Sequence, residues 1–224
     1  MWNQDEIKIN VHMIRHGMTP LNDKNCYIGS IDESLSENGA NVIIQMASKK
    51  IYPKVQKVYV SPKKRTIETA KIIYPKHNLI PVYGFEETDF GMFEGKNYDQ
   101  LKSLPIYRRW IDISRGMSPE EVERVYGDIE DIEQYSLPES KEHFKERVAK
   151  AFTDVLIESS SESDIALVVH GGTINAIIEE FGNEDFYKYH VLCGNGISTE
   201  IVFKIEDYET IKVSHFGVTG RIHS

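Results

Sequence analysis

Two histidines, two arginines and a glutamate in this 224-residue chain have the types and settings needed to move a phosphoryl group. Arg15-His16-Gly17 stands where an apolar run ending at Ile14 gives way to a turn-rich stretch. His170-Gly171-Gly172-Thr173 follows a second apolar run, Ile165 to Val169. Histidines delivered by two strand ends would sit where open α/β sheets hold their ligands. Arg65 opens a helical pattern, and Glu87 lies in a loop rich in acids and aromatic residues. If the five converge, two planar guanidinium forks match phosphate oxygens. One neutral imidazole attacks phosphorus, the other donates to the oxyanion, and a carboxylic acid protonates the departing alkoxide. That is phosphoryl transfer through a phosphohistidine, where positioning and charge stabilisation supply most of the rate. Neither a metal nor a cofactor is expected, since the arginines and a histidine supply the positive charge. Taken singly, each residue also has an ordinary reading: a hydrogen-bonded structural His, a solvated helix Arg, a loop Glu.

The elements that must position these groups can be read from periodicity and punctuation. Strands are expected over Ile7–Ile14, Lys57–Val60, Leu79–Tyr83 and Ile165–Val169, with a closing hairpin of Glu200–Ile205 and Thr210–His215. Helices are expected over Ala40–Lys50, behind a Ser36 N-cap, and over Arg65–Ile73, Ser140–Ser159 and Thr173–Phe181. In the third of these, Phe144, Val148, Ala151, Phe152, Val155 and Leu156 share one face. Strands alternating with helices argue one α/β domain over residues 1–224: a three-layer α/β/α sandwich with a mostly parallel central sheet. The polar stretch 97–140, with short helical patches, reads as an insertion over the active-site end.

Composition narrows the partners. A net charge of −9 and a pI near 5.4 oppose binding to nucleic acid and to anionic membranes. Cys26 and Cys193 lie far apart with no metal or redox spacing and read as reduced thiols. Met1–Lys8 is polar, without the apolar core of a signal peptide, and no apolar run approaches a bilayer span. The expectation is a cytoplasmic protein, compatible with a homodimer, whose partner is a small phosphorylated metabolite. His12, His77, His143, His190, His215 and His223 fit no motif.

These motifs resemble those of the histidine phosphatase superfamily, which contains cofactor-dependent phosphoglycerate mutases and many small-molecule phosphatases. The resemblance runs from about Ile9 to Phe216. It is carried by Arg15-His16-Gly17-Met18-Thr19 with Asn22, by Tyr27-Ile28-Gly29 through Leu35-Ser36 and Gly39, and by Ser61 to Ala70 around Arg65. Glu87-Thr88-Asp89-Phe90-Gly91 with Phe93-Glu94-Gly95, and His170 to Thr173, complete it. It implies that His16 is the nucleophile and that Arg15, Arg65 and His170 hold the phosphoryl oxygens. Thr19, Asn22 and the Gly171 backbone would be supporting donors. Glu87 would be general acid and then base, with Glu86 as the competing assignment. Met18 stands where many members carry Glu or Gln, and Phe93 where Trp is frequent. Pro138-Glu139-Ser140 replaces a common Gly-Glu-Ser, a change expected to alter the start of the long helix but not the chemistry.

Within that family the phosphatase reading competes with a mutase, which must exclude water and grip a carboxylate. Arg108 and Arg109 could supply that grip, whereas the acids of Glu120–Glu133 oppose it. A non-catalytic regulatory member is disfavoured because all five reactive groups are present. The insertion is similar in overall look to that of α-ribazole phosphatases, which implies α-ribazole phosphate as substrate. Tyr27, Met18, Phe90, Met92, Phe93 and Trp110 are candidates for an apolar wall beside the phosphate, which would suit a ring-bearing substrate where core packing is their ordinary reading; Tyr27 and Ile28 are also candidate substrate-binding residues.

Overall fold

A computed structural model of the protein describes residues 6–127, 136–182 and 191–223. Its centre is a six-stranded sheet in the order β3-β2-β4-β1-β5-β6. The strands are β1 (Ile7–Arg15), β2 (Lys57–Val60), β3 (Leu79–Pro81), β4 (Asp164–Val169), β5 (Gly196–Ile205) and β6 (Ile211–Ile222). The first four run parallel, and β5 and β6 are antiparallel additions at one side. Seven helices are described: α1 (Glu37–Ser48), α2 (Lys64–Ile73), α3 (Tyr98–Leu101), α4 (Pro105–Ser114), α5 (Pro119–Tyr126), α6 (Lys141–Glu158) and α7 (Gly171–Gly182).

The unbroken apolar run of β4 follows from its central place, because a strand covered on both faces has no polar side. Ile165, Leu167 and Val169 face the core shared with α6 and α7. Ala166 and Val168 face a second cluster with Ile14, Val58, Val60 and Ala70 of α2. The six apolar residues expected along α6 are all buried. Ser36 and Ser140 cap their helices as their positions imply, accepting from the amides of Gly39 and His143.

Boundaries differ in several places, among them the start of α1, which is Glu37 rather than Ala40. β3 stops at Pro81 rather than Tyr83, because Tyr83–Phe85 tightens into a 3₁₀ turn. The closing hairpin is longer than expected, with β5 starting at Gly196 and β6 reaching Ile222. Alternation there is obscured because β6 is largely half-exposed. Finally, α7 begins at Gly171, directly after His170. The described part of 97–140 forms α3, α4 and α5 around a small separate core of Phe93, Leu101, Ile106 and Tyr107. The rest of the acidic run beyond Gly127, and His190, lie outside the described residues. No described helix is long and apolar enough to cross a membrane, and Cys26 and Cys193 are unpaired.

Candidate active site

Parallel pairing delivers the reactive residues to one end of the sheet. Arg15 on β1 lies opposite Val169 on β4, so His16 and His170 leave adjacent strands side by side. Their ring centroids are 5.2 Å apart, edge to face. The next strand, β2, is followed directly by Ser61, whose hydroxyl lies 2.8 Å from His170 Nε2. Lys63 then leads into α2, placing Arg65 in its first turn. The chain after β3 brings in Glu87.

The hydrogen bonds assign the proton on His16. Nδ1 is 2.7 Å from the Gly17 carbonyl, which can only accept, so Nδ1 carries the hydrogen. In a neutral imidazole the lone pair is then on Nε2. Burial, reinforced by the guanidiniums of Arg65 and Arg15, holds the His16 imidazole well below the ordinary histidine range. His170 is lowered in the same way, by burial first and then by Arg65, His16 and Arg15. The Ser61 hydroxyl can donate to His170 Nε2 or accept from it; the tautomer in which it donates leaves the His170 ring proton on Nδ1.

Both arginines are held by main-chain carbonyls rather than by acids. Arg15 Nη1 donates to Val191 O at 2.9 Å. Arg65, fully buried, donates from Nη1 to Ile31 O at 2.7 Å and from Nη2 to Gly29 O at 3.0 Å. Six buried side-chain polar atoms among the described residues have no partner, and three of them are Arg15 Nε, Arg65 Nε and His170 Nδ1. Buried polar atoms without partners are rare and costly, and these three belong to residues that surround His16. An anion with several oxygen acceptors is the chemical complement of that arrangement.

Glu87 faces the amino end of α7. Its Oε2 accepts from Gly172 N at 3.0 Å, and its Oε1 accepts from Thr88 N at 3.0 Å. Gly172 permits the approach, since a Cβ there would lie 2.2 Å from Glu87 Oε1. Glu86, the competing acid, instead pairs with Lys63 at 3.0 Å. A cavity of about 380 Å³ opens beside Arg15, Glu87 and Gly171, with Phe90, Trp110 and Phe144 on its wall.

His16, Arg65 and His170 are buried behind this cavity's lining rather than part of it, and several other expected site residues do not line it either. Thr19 and Asn22 close a local turn on each other, Thr19 N to Asn22 Oδ1 and Asn22 N to Thr19 Oγ1, both at 3.3 Å. Neither lines the cavity. Ile28 is buried. The Tyr27 hydroxyl is hydrogen-bonded to that of Tyr107 at 2.7 Å, and Tyr27 borders a different cleft with Arg108. Arg108 donates from Nε to Lys102 O. Arg109 faces a neighbouring groove with Ile106 and Ile113. Neither arginine is in the lining of the first cavity, though Arg109's groove shares Trp110, Ser114, Glu139 and Lys141 with it, and helical geometry sends the two side chains about 100° apart around the axis. Of the expected wall, Phe90 and Trp110 line the cavity and Met18, Met92 and Phe93 do not.

Sequence reasoning missed two buttresses. Glu94 accepts backbone N–H groups from Gly29, Ser30, Ile31 and Phe90 at 2.8–3.3 Å, tying the loop that holds Arg65 to the loop that carries Glu87. Arg147 on α6 forms a two-pronged pair with Glu139 at 2.7 Å and donates to the carbonyls of Gly84, Glu86 and Glu87. Glu139 thus borders the cavity and braces its supports, a larger part than the start of a helix. An Arg eight residues after a Glu that precedes a helix cap was the available signal.

The family profile of the Histidine phosphatase superfamily (branch 1) matches residues 11–213. The chain belongs to that superfamily. A Hydrogenobacter thermophilus protein named "Putative phosphoserine phosphatase 2" is 25% identical over 190 residues, covering 81% of this chain and 84% of that one. The 2,3-bisphosphoglycerate-dependent phosphoglycerate mutase of Staphylococcus epidermidis is 27% identical over 227 residues, covering 91% and 97%. Among solved structures, the phosphoglycerate mutase of Bacillus anthracis shares the fold with a TM-score of 0.71 at 23% identity, covering 94% of this chain and 93% of that one. The α-ribazole phosphatase of Shigella flexneri does so with 0.66 at 18%, covering 93% and 96%. The α/β architecture expected of this histidine phosphatase is that of its structural neighbours. Among its described residues no group of three or more His, Cys, Asp or Glu is placed to hold a metal.

Proposed function

We propose that this histidine phosphatase is a phosphomonoesterase that hydrolyses a small phosphorylated metabolite through a phosphohistidine at His16. The carrying observation is the set of three partnerless buried nitrogens, Arg15 Nε, Arg65 Nε and His170 Nδ1, on residues gathered around His16. Nε2 of His16 attacks phosphorus while the P–O ester bond breaks, and Glu87 gives its proton to the leaving oxygen. Water then attacks the phosphoryl group, Glu87 takes a proton from it, and phosphate leaves with the His16 lone pair restored. Arg15, Arg65 and His170 hold the phosphoryl oxygens throughout, which is where preorganised donors lower the barrier most. Residues 97–140 act as a cap on one domain.

A mutase would pass the phosphoryl group back to a carboxylate-bearing substrate. Arg108 borders a different cleft, and Arg109, whose buried Nε is unpartnered, borders a groove that shares Trp110, Ser114, Glu139 and Lys141 with the cavity. The test is phosphate release from an aryl phosphate in chelator, with 3-phosphoglycerate interconversion assayed alongside. Release by the native chain that vanishes in His16→Ala supports the phosphatase. Interconversion without net phosphate release would replace it with the mutase.

A further inference from the structure

We propose that Ser61 is a positioning residue for the phosphoryl transfer, its hydroxyl donating to His170 Nε2 and so keeping the His170 ring proton on Nδ1, where a phosphoryl oxygen can accept it. This rests on the phosphatase reading of the same site. Ser61 Oγ and His170 Nε2 are 2.8 Å apart, and both residues are fully buried. Which nitrogen of a histidine carries the hydrogen is set by the bond that the other nitrogen makes.

The two tautomers differ in what they leave unsatisfied. With the hydrogen on Nε2, Ser61 would accept it, and Nδ1 would present a lone pair to the phosphate site. That lone pair would repel a phosphoryl oxygen. The Ser61 hydrogen would also stay buried, cut off from the one partner described for the hydroxyl. With the hydrogen on Nδ1, Ser61 donates to Nε2, and the partnerless Nδ1 becomes a donor awaiting an acceptor. Once an anion binds, this arrangement alone satisfies the hydroxyl and both ring nitrogens. Burial and the neighbouring guanidiniums favour the neutral ring, so a single hydrogen has to be placed.

The main chain holds Ser61 at its post. Its amide donates to Val168 O at 3.2 Å, on the strand that delivers His170. Its carbonyl accepts from Thr66 Oγ1 at 2.7 Å, in the first turn of α2 beside Arg65. Ser61 is thus anchored both to β4 and to the segment that carries the second arginine.

The experiment is NMR of the chain with histidine labelled at its ring nitrogens and inorganic phosphate bound, with kcat/KM on an aryl phosphate measured alongside. His170 signals are identified by their absence in His170→Asn. In the native chain they should report a neutral ring with the hydrogen on Nδ1. Ser61→Ala should move them toward a mixture of tautomers and lower kcat/KM by about 10-fold, the low end of what outer partners of metal-ligating histidines contribute. Ser61→Thr, which keeps the hydroxyl, should restore both. A native His170 protonated on Nε2, alone or together with Nδ1, would overturn the inference. So would a folded Ser61→Ala chain with tautomer and turnover unchanged. Where circular dichroism shows that Ser61→Ala has lost its fold, the native spectrum decides alone. In each of these cases phosphate release by the native chain leaves the phosphatase reading intact. No release by the folded native chain would overturn both.

Discussion

Arg147 Nη2 donates to the main-chain carbonyl of Glu87 at 3.1 Å, while the same guanidinium is clamped at 2.7 Å by Glu139. The proposed general acid is therefore aimed from behind by a side chain sixty residues away. Replacing the fork with Arg147→Lys keeps a charge beside Glu139 but cannot span the same carbonyls, since an ammonium lacks the planar geometry. A misplacement of about 1 Å costs on the order of 100-fold in rate. The variant should lose about 10- to 100-fold in kcat/KM on alkyl phosphates and much less on activated aryl phosphates. Equal losses on both ester classes would mean that Arg147 supports the fold without positioning the acid.

Glu87→Gln should show the same selectivity more strongly. Removing a general acid costs about 10²–10⁴-fold where the leaving group needs a proton. Activated aryl esters, whose leaving groups depart as stable anions, should be spared most of that loss. Leaving-group dependence measured over a series of esters checks this, and parallel slowing of all of them would assign Glu87 another role.

Much of the arrangement was readable from local patterns. The strand ends and glycines around Arg15-His16 and His170 are short-range signals, and parallel pairing then places them together. What escaped was information that is not local. Arg108 and Arg109 are adjacent in sequence near the right element, but their facing depends on how α4, through Ile106 and Tyr107, packs on Phe93 and Leu101. Tyr27 is aromatic and close to the motif, yet its hydroxyl partner lies in α4. The Arg147 clasp joins α6 to the loop after β3, a pairing with no periodic trace in the chain.

Gly29→Ala should damage both fold and turnover. A Cβ at 29 would sit 1.7 Å from the Thr88 carbonyl oxygen, an overlap with main chain that cannot be relieved by a rotamer change. The two loops joined by Glu94 would have to separate, disturbing the Gly29 carbonyl that holds Arg65. Overpacking of this kind costs about 1–3 kcal/mol, occasionally more. Urea unfolding should report at least that loss, and native stability in the variant would show that the loops are not tightly apposed.

Acid should destabilise the ligand-free protein from about pH 6.5 downward. Burial lowers the folded-state affinity of both His16 and His170 for protons. Below the ordinary histidine pKa of about 6.5 the unfolded chain therefore binds more protons than the folded one. Stability is fully present above that pH and falls as pH drops toward the folded values, by about 1.4 kcal/mol per pH unit for each histidine. Saturating inorganic phosphate should flatten the slope, because a bound anion favours the protonated rings. Urea midpoints at several pH values test both statements, and stability that holds steady from pH 7 to pH 5 would contradict them.

The central claim is that His16 Nε2 carries the phosphoryl group. The most direct test is to react the Glu87→Gln variant with an activated aryl phosphate, quench rapidly in alkali, where phosphohistidine survives, and locate the phosphoryl group by mass spectrometry. The account expects it on His16, with none trapped when His16→Ala is combined with Glu87→Gln. A phosphoryl group on any other residue, or undiminished native turnover with His16 replaced, would contradict it.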